Sequence, residues 1–197
     1  MALNAAAAAV SPRAARLPPL LFFTDPQRTP EPWRTAERLP SGAGVVFRHF
    51  GAADRREGAE RLLTACRRSG ARLLIGADAA LAEAVDADGV HLPERDAALA
   101  PLLRGTRRDW LITVAAHRGA APAPGADARV LSPVFPAGGA SAGVDPLGLE
   151  AFGAEAARLE APCYALGGVD AGAAERLIGS GACGIAGVDA VARAFGP

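Results

Sequence analysis

The three histidines are the residues best suited to proton transfer or metal binding. His49, His91 and His117 each stand at or just after the end of a short apolar run. Imidazole titrates near neutral pH and is a common metal ligand. The three side chains could form one metal site, act as acid and base, or simply hydrogen-bond locally. The sequence leaves these alternatives open, and we predict His91 and His117 as catalytic residues.

Two glycine-containing turns are suited to binding a phosphate. Gly167 and Gly168 follow one apolar run, and Gly187 ends another just before a helical pattern. Glycine lets backbone N–H groups approach an anion closely, although the same residues also make ordinary tight turns. We predict a phosphate site at these two turns. Asp189 argues against it, because a carboxylate there would repel a phosphate unless it only caps the helix.

Arg48 and Asp96 could bind the charged parts of a ligand. Arg48 lies at the end of an apolar run, and a planar guanidinium binds phosphate or diphosphate through two parallel hydrogen bonds. Asp96 follows His91 by five residues, where it could bind a divalent cation or cap the next helix. We predict Arg48 as a catalytic and phosphate-binding residue.

The composition excludes several classes of function. All 21 basic residues are arginine, which excludes Schiff-base and P-loop lysine chemistry. The formal net charge is zero, so we expect neither nucleic acid nor membrane as a partner. The three cysteines form no CxxC pair, which indicates a reducing, cytoplasmic location. The sequence does not indicate an oligomeric state.

Eight short β-prone runs position these residues. Helical patterns lie between most of them, and this alternation is typical of parallel β/α units, either a (β/α)8 TIM barrel or an open doubly wound sheet. We predict the barrel, whose functional groups gather at the carboxyl ends of its strands. The predicted strands are Leu20–Thr24, Gly44–Arg48, Arg72–Ile75, Gly89–Leu92, Leu111–Ala115, Ala128–Leu131, Cys163–Leu166 and Gly184–Ala186.

The barrel must be lean, with about 23 residues per unit against about 31 in a typical barrel. Residues 117–127 contain two prolines and two glycines, so the helix after the fifth strand should be shortened or missing. In the helix after the second strand, Asp54 is a candidate N-cap and Gly70 a terminator. Residues 1–16 are predicted to be a disordered tail, and residues 17–197 a single domain.

Three segments give the chain a family resemblance. They are ADGVHL at residues 87–92 with Asp96, SPVFP at 132–136, and ALGGV at 165–169. In order and spacing they resemble the thiamine phosphate synthase and thiazole tautomerase family, which folds as a (β/α)8 barrel. The resemblance extends from about residue 20 to residue 195.

The resemblance implies a synthase that joins hydroxymethylpyrimidine diphosphate to a thiazole phosphate, through a pyrimidine carbocation. It implies Mg²⁺ at Asp96, with Asp78 standing one residue beyond the second aspartate of the family. It also implies that Arg48 binds pyrophosphate and that Gly167, Gly168 and Gly187 bind the thiazole phosphate. The expected partner is therefore a small phosphorylated heterocycle.

Several charged positions of the family pattern are replaced. Val46, His49 and Phe50 stand for Gln, Glu and Lys, and residues 137–143 contain no lysine. Asp189 stands for the serine after the last strand, and Pro133 for the tautomerase histidine. These losses predict weak or lost synthase activity. Two alternatives follow: a carrier or regulator that binds the phosphate without turnover, or an isomerase or lyase that uses the histidines on another small phosphate.

Overall fold

Eight parallel strands close into a barrel in chain order, in a computed structural model that describes residues 2–11 and 17–196. The first strand pairs with the second and the eighth, which closes the ring and makes the open-sheet alternative wrong. The (β/α)8 prediction is confirmed, and every predicted strand lies within two residues of an observed one. The strands are β1 (Leu20–Phe23), β2 (Gly44–Phe47), β3 (Arg72–Gly76), β4 (Gly89–Leu92), β5 (Leu111–Ala116), β6 (Ala128–Leu131), β7 (Cys163–Ala165) and β8 (Ala182–Gly187).

Helices surround the barrel, with two additional 3₁₀ turns at Glu94–Leu99 and Gly139–Ser141. Over the described ranges, none of the helices has the length and apolar character that a membrane span requires. They are α1 (Leu3–Val10), α2 (Pro32–Ala36), α3 (Arg55–Ser69), α4 (Ala79–Ala84), α5 (Ala100–Thr106), α6 (Gly148–Leu159), α7 (Ala171–Arg176) and α8 (Asp189–Phe195).

Alternation along the strands divides the core into two parts. Residues such as Leu21, Val46 and Tyr164 point into the barrel and fill it, whereas their neighbours pack outward beneath the helices. The barrel interior is therefore solid, and we look for ligand-binding groups at its mouth, where the carboxyl ends of the strands lie. Arg48 and His91 share the inward register of Val46 and reach the mouth end of β2 and β4.

The connection between β5 and β6 contains no helix, as the two prolines and two glycines predict. Three arginines hold this segment by donating to its backbone carbonyls. Arg129, fully buried on the outer face of β6, donates to Ala121 O at 2.7 Å and to Ala115 O at 3.1 Å. Arg158 donates to Ala120 O at 2.7 Å, and Arg104 donates to Gly125 O at 3.3 Å. Side-chain donors thus replace the missing helical hydrogen bonds.

The tail prediction for residues 1–16 is wrong where the structure describes it. α1 buries Leu3, Ala6, Ala7 and Val10 and packs against α7 and β8. Burial of this alanine-rich face outweighs the entropy that favours disorder in an isolated short helix. Residues 1 and 12–16 lie outside the described residues.

The two predicted ends of α3 have different outcomes. Gly70 terminates the helix as predicted, with φ of +76° and its N–H donating to Cys66 O. The predicted cap at Asp54 is wrong in its chemistry, because the residue precedes the helix but its side chain makes no capping hydrogen bond. The first turn of α3 begins with Arg55, which bonds to groups at the end of β3 instead.

Candidate functional site

A cleft of about 310 Å³ opens at the mouth of the barrel, between the ends of β6, β7 and β8 and the segments after β1 and β2. It brings together four of the residues predicted from the sequence: Arg48, Gly167, Gly168 and Gly187. The other predicted site residues, His91, His117, Asp78 and Asp96, do not line this cleft. The structure therefore brings the predicted phosphate-binding residues together and places the predicted metal ligands elsewhere.

The turn after β7 needs glycine at both positions. Gly167 and Gly168 have φ of +94° and +65°, a region that favours glycine. A Cβ on Gly168 would stand 2.5 Å from Pro136 O, so the turn packs tightly on the segment after β6. Phe135 N–H donates to Gly167 O at 3.0 Å and fixes this contact. Both glycines line the cleft, so their backbone is within reach of a ligand.

Arg48 is fixed at the cleft by the strand beside it. Its Nε donates to Thr24 O at 3.0 Å, and its guanidinium lies 5.2 Å from the ring centroid of Phe23. The terminal Nη atoms form no hydrogen bond with the residues that the structure describes. Burial, together with the charge of Arg28, lowers the pKa of Arg48 below its usual value. An anion that binds these Nη atoms would relieve that penalty.

Arg28, which the sequence analysis did not single out, also lines the cleft. Its Nη2 donates to Asp25 Oδ2 and its Nη1 to Asp189 Oδ2, both at 3.0 Å. Burial acts to lower the pKa of Arg28, but these hydrogen bonds and charges outweigh it and raise the pKa. The expected repulsion from Asp189 is thus compensated by a cation. The i, i+3 spacing of Asp25 and Arg28 was the available signal, and the link to Asp189 is visible only in three dimensions.

His91 is a buried, neutral residue beneath the mouth. Its Nδ1 lies 2.9 Å from Thr113 Oγ1, and its ring meets Phe23 edge to face at 4.9 Å. Burial first, and then the charge of Arg48, lowers the pKa of His91 to about 3. The imidazole therefore cannot act as a general acid near neutral pH, although it can still accept or donate one hydrogen bond.

The other two histidines have unrelated surroundings. His117 is exposed, and its Nδ1 lies 2.7 Å from Glu94 Oε2, away from the cleft. His49 packs against Phe47, and its Nε2 is buried with no partner among the described residues. Burial lowers the pKa of His49. The structure therefore does not bring the histidines together, and the isomerase or lyase alternative gains no support from their positions.

The predicted magnesium ligands do not fit a metal site. Both oxygens of Asp78 are occupied, Oδ2 by Arg55 Nη1 at 2.5 Å and Oδ1 by Leu81 N–H, which it caps at 2.9 Å. Mg²⁺ needs an octahedral set of oxygen ligands with carboxylates free to coordinate. Asp96 lies on the 3₁₀ turn after β4, where its Oδ2 is 3.9 Å from Arg95 Nε. The described part of the chain holds no group of three His, Cys, Asp or Glu side chains that could bind a metal.

Comparison with known proteins relates the whole barrel to one family. The family model described as thiamine monophosphate synthase matches residues 20–191. A thiamine-phosphate synthase of Chlorobium luteolum is 36% identical over 187 residues, covering 91% of this chain and 88% of that protein. A thiamine-phosphate synthase of Thioalkalivibrio sulfidiphilus is 35% identical, covering 78% and 76% of the two chains.

Solved structures agree on the fold. Thiamine phosphate pyrophosphorylase from Pyrococcus furiosus superposes with a TM-score of 0.73 at 24% identity, covering 90% of this chain and 91% of that one. An HpcH/HpaI aldolase from Desulfitobacterium hafniense gives a TM-score of 0.62 at 15% identity, covering 98% and 92%. The second match shows that the barrel alone does not select a reaction, so the assignment must come from the sequence relatives and the cleft.

Proposed function

The chain belongs to the thiamine monophosphate synthase family, and from this premise we propose that it joins a pyrimidine diphosphate to a thiazole phosphate. The observation that carries the proposal is a single cleft that holds both Arg48 and the glycine turn of Gly167 and Gly168. Arg48 can receive the leaving diphosphate, and the glycine turn can receive the phosphate of the thiazole substrate. The reaction needs both anions at one mouth of the barrel.

In the proposed reaction the bond between the pyrimidine methylene and the diphosphate oxygen breaks, and the thiazole nitrogen forms the new bond to carbon. The diphosphate leaves with the electron pair. Arg48 supports this step because its Nη atoms form no hydrogen bond with the described residues, and its Nε is fixed by Thr24 O. Little reorganisation is therefore needed as charge develops. Mg²⁺ would neutralise the same charge in other members, but Asp78, one of the two ligands predicted here, is held by Arg55 and by the helix that it caps.

The floor of the cleft supports the cation side of the reaction. Leu166, Ala186 and Val188 line it with apolar surface, and Phe23 lies just beneath Arg48. Apolar surface beside the reacting carbon disfavours the water that would otherwise capture a carbocation. His91 next to Phe23 adds no positive charge, because its imidazole is neutral near pH 7. We keep His91 as a positioning candidate, whereas His117 has no contact with the cleft.

Incubation of the purified protein with both precursors tests the proposal directly. Thiamine phosphate is measured as fluorescent thiochrome, with and without added Mg²⁺. The matched control replaces the pyrimidine diphosphate by the pyrimidine alcohol, which has no leaving group. Product in the first reaction and none in the second supports the synthase. No product under either metal condition contradicts it.

A second candidate, a barrel that binds the phosphate without turnover, is favoured by one observation. The second aspartate of the family pattern is replaced here, and Asp78, one residue beyond it, is held by Arg55 rather than free to take over that charge, while the glycine turn is kept. Calorimetry with the thiazole phosphate alone separates the candidates. Heat of binding without thiochrome formation favours the carrier or regulator, and turnover rules it out.

A further inference from the structure

Arg28 and Asp189 form an ion pair across the end of the cleft where the β8 turn lies. Both residues line the cleft, and their side chains are 28% and 46% exposed. The contact links the segment after β1 to the start of α8, 161 residues later in the chain. A ligand in the cleft therefore meets this pair directly.

The two carboxylates on Arg28 are held with very different firmness. Asp25 is fixed within its own loop, since Oδ1 accepts from the N–H groups of Gln27 and Arg28 at 3.0 Å. Asp189 Oδ2 has Arg28 Nη1 as its one hydrogen-bond donor among the described residues. Asp189 can therefore leave the guanidinium with the loss of one contact, whereas Asp25 keeps Arg28 in place.

Two further features make the surroundings of Arg28 suitable for an anion. A Cβ on Gly139 would stand 3.0 Å from Arg28 Cζ, so the glycine-rich segment after β6 packs directly on the guanidinium. Arg28 is also close enough to Arg48 to repel its charge. Two guanidinium groups near one cleft favour an anion between or beside them.

We propose that the phosphate of the bound thiazole substrate takes the place of Asp189 on Arg28, so that Asp189 competes with the substrate and sets its affinity. Arg28 is thus an anion-binding residue, and Asp189 is a specificity-determining one. This inference rests on the proposed function for the identity of the substrate. Its chemistry applies to any small phosphate, so inorganic phosphate serves as a probe that does not depend on turnover.

Calorimetric titration of inorganic phosphate and of the thiazole phosphate tests the competition. Asp189→Asn should tighten both by about threefold to tenfold, because the competing charge is removed from a partly exposed site. Arg28→Gln should weaken both by a similar factor. The matched controls are Glu31→Gln and Arg34→Ala, which change charge equally in an ion pair that does not line the cleft. Neither control should change the affinity.

The double variant separates competition for Arg28 from simple repulsion. If Asp189 acts through Arg28, Asp189→Asn should gain little in the Arg28→Gln background. The same gain in both backgrounds, or no gain in Asp189→Asn alone, would overturn the inference. If Arg28→Gln does not fold, Arg28→Lys takes its place in the double variant, and the absence of a gain in Asp189→Asn alone still overturns the inference.

Turnover is read separately, so the two proposals can fail independently. If the protein forms no thiamine phosphate but the Asp189→Asn variant binds phosphate more tightly, the inference stands and the synthase assignment fails. If the protein forms thiamine phosphate but Asp189→Asn changes neither the KM for the thiazole phosphate nor the affinity for phosphate, the assignment stands and the inference fails.

Discussion

Arginine side chains serve two regions of this barrel in opposite ways. Along the helix-free connection between β5 and β6, Nη atoms of Arg129 and Arg158 donate to backbone carbonyls, and Arg158 also donates to the Glu155 carboxylate. At the cleft, Arg48 uses only Nε on a carbonyl and keeps its terminal nitrogens free of the described residues. The residue type is the same, but its Nη donors bond to the protein in one place and are available to a ligand in the other.

This difference gives a criterion for function in a chain whose basic residues are all arginine. A guanidinium whose donors are satisfied by the backbone replaces secondary structure, and its loss should cost stability. A guanidinium with free donors at a cleft can bind an anion, and its loss should cost rate or affinity. Variants in the two regions should therefore fail in different assays.

The largest expected effect is on turnover in Arg48→Ala. Loss of one preorganised donor to a developing anion should lower kcat by about 10²–10³-fold. The free energy of unfolding should fall by only about 1 kcal/mol, because the variant loses the Nε hydrogen bond to Thr24 O but no Nη contact with the described residues. Thiochrome kinetics and urea denaturation measure the two quantities. A large loss of stability with normal kcat in the folded protein would break the comparison.

The converse is expected for Arg129→Ala. The change leaves the carbonyls of Ala115 and Ala121 without their donors and opens a cavity under the segment. The free energy of unfolding should fall by about 2–4 kcal/mol, with turnover per folded molecule retained. Arg158→Ala is the matched control, since that side chain is 43% exposed and should cost about 1 kcal/mol or less. Equal costs for the two variants would contradict the structural role of Arg129.

The pH dependence of stability should report the neutral imidazole of His91. Its pKa in the fold is lowered to about 3 from 6.5, so below about pH 6 the unfolded chain binds a proton that the folded chain does not. Stability should therefore fall by about 1 kcal/mol per pH unit on acidification from this group. His91→Asn should flatten that slope. Urea unfolding at several pH values measures it, and parallel slopes in wild type and His91→Asn would refute it.

The smallest effect concerns Asp78. Asp78→Ala removes a helix cap and the partner of Arg55, which should cost about 1 kcal/mol of stability. Since both carboxylate oxygens are occupied, the Mg²⁺ dependence of turnover should be the same in the variant and in wild type. A Mg²⁺ titration of each protein measures this. A shift in the metal midpoint would show that Asp78 does reach the ion.

Local sequence signals were sufficient for the fold. Eight apolar runs with helical patterns between them indicate parallel β/α units, and two prolines with two glycines exclude a helix over residues 117–127. The exception is α1, whose alanine-rich segment favours a helix but is too short to be stable in isolation. Its stability comes from packing on α7 and β8, which lie more than 150 residues away in the chain.

The residues of the candidate site also differ in whether local sequence was sufficient to predict them. Gly167 and Gly168 were identifiable because a turn with positive φ needs glycine, and Arg48 because it ends a strand. Asp78 was expected on a metal, but the arginine that occupies it comes from α3. The role of Asp189 was ambiguous for the same reason, since its cation comes from the segment after β1.

The sequence by itself determined the barrel, its missing helix, the family and the glycine turns, because each depends on short-range periodicity, backbone conformation or motif spacing. Only the tertiary structure decided which charges that are far apart in sequence form pairs. Arg28 meets Asp189, and Arg55 meets Asp78, because the folded barrel brings their segments together. Charge pairing acts through space over a few ångströms, and no pattern along the chain encodes that distance.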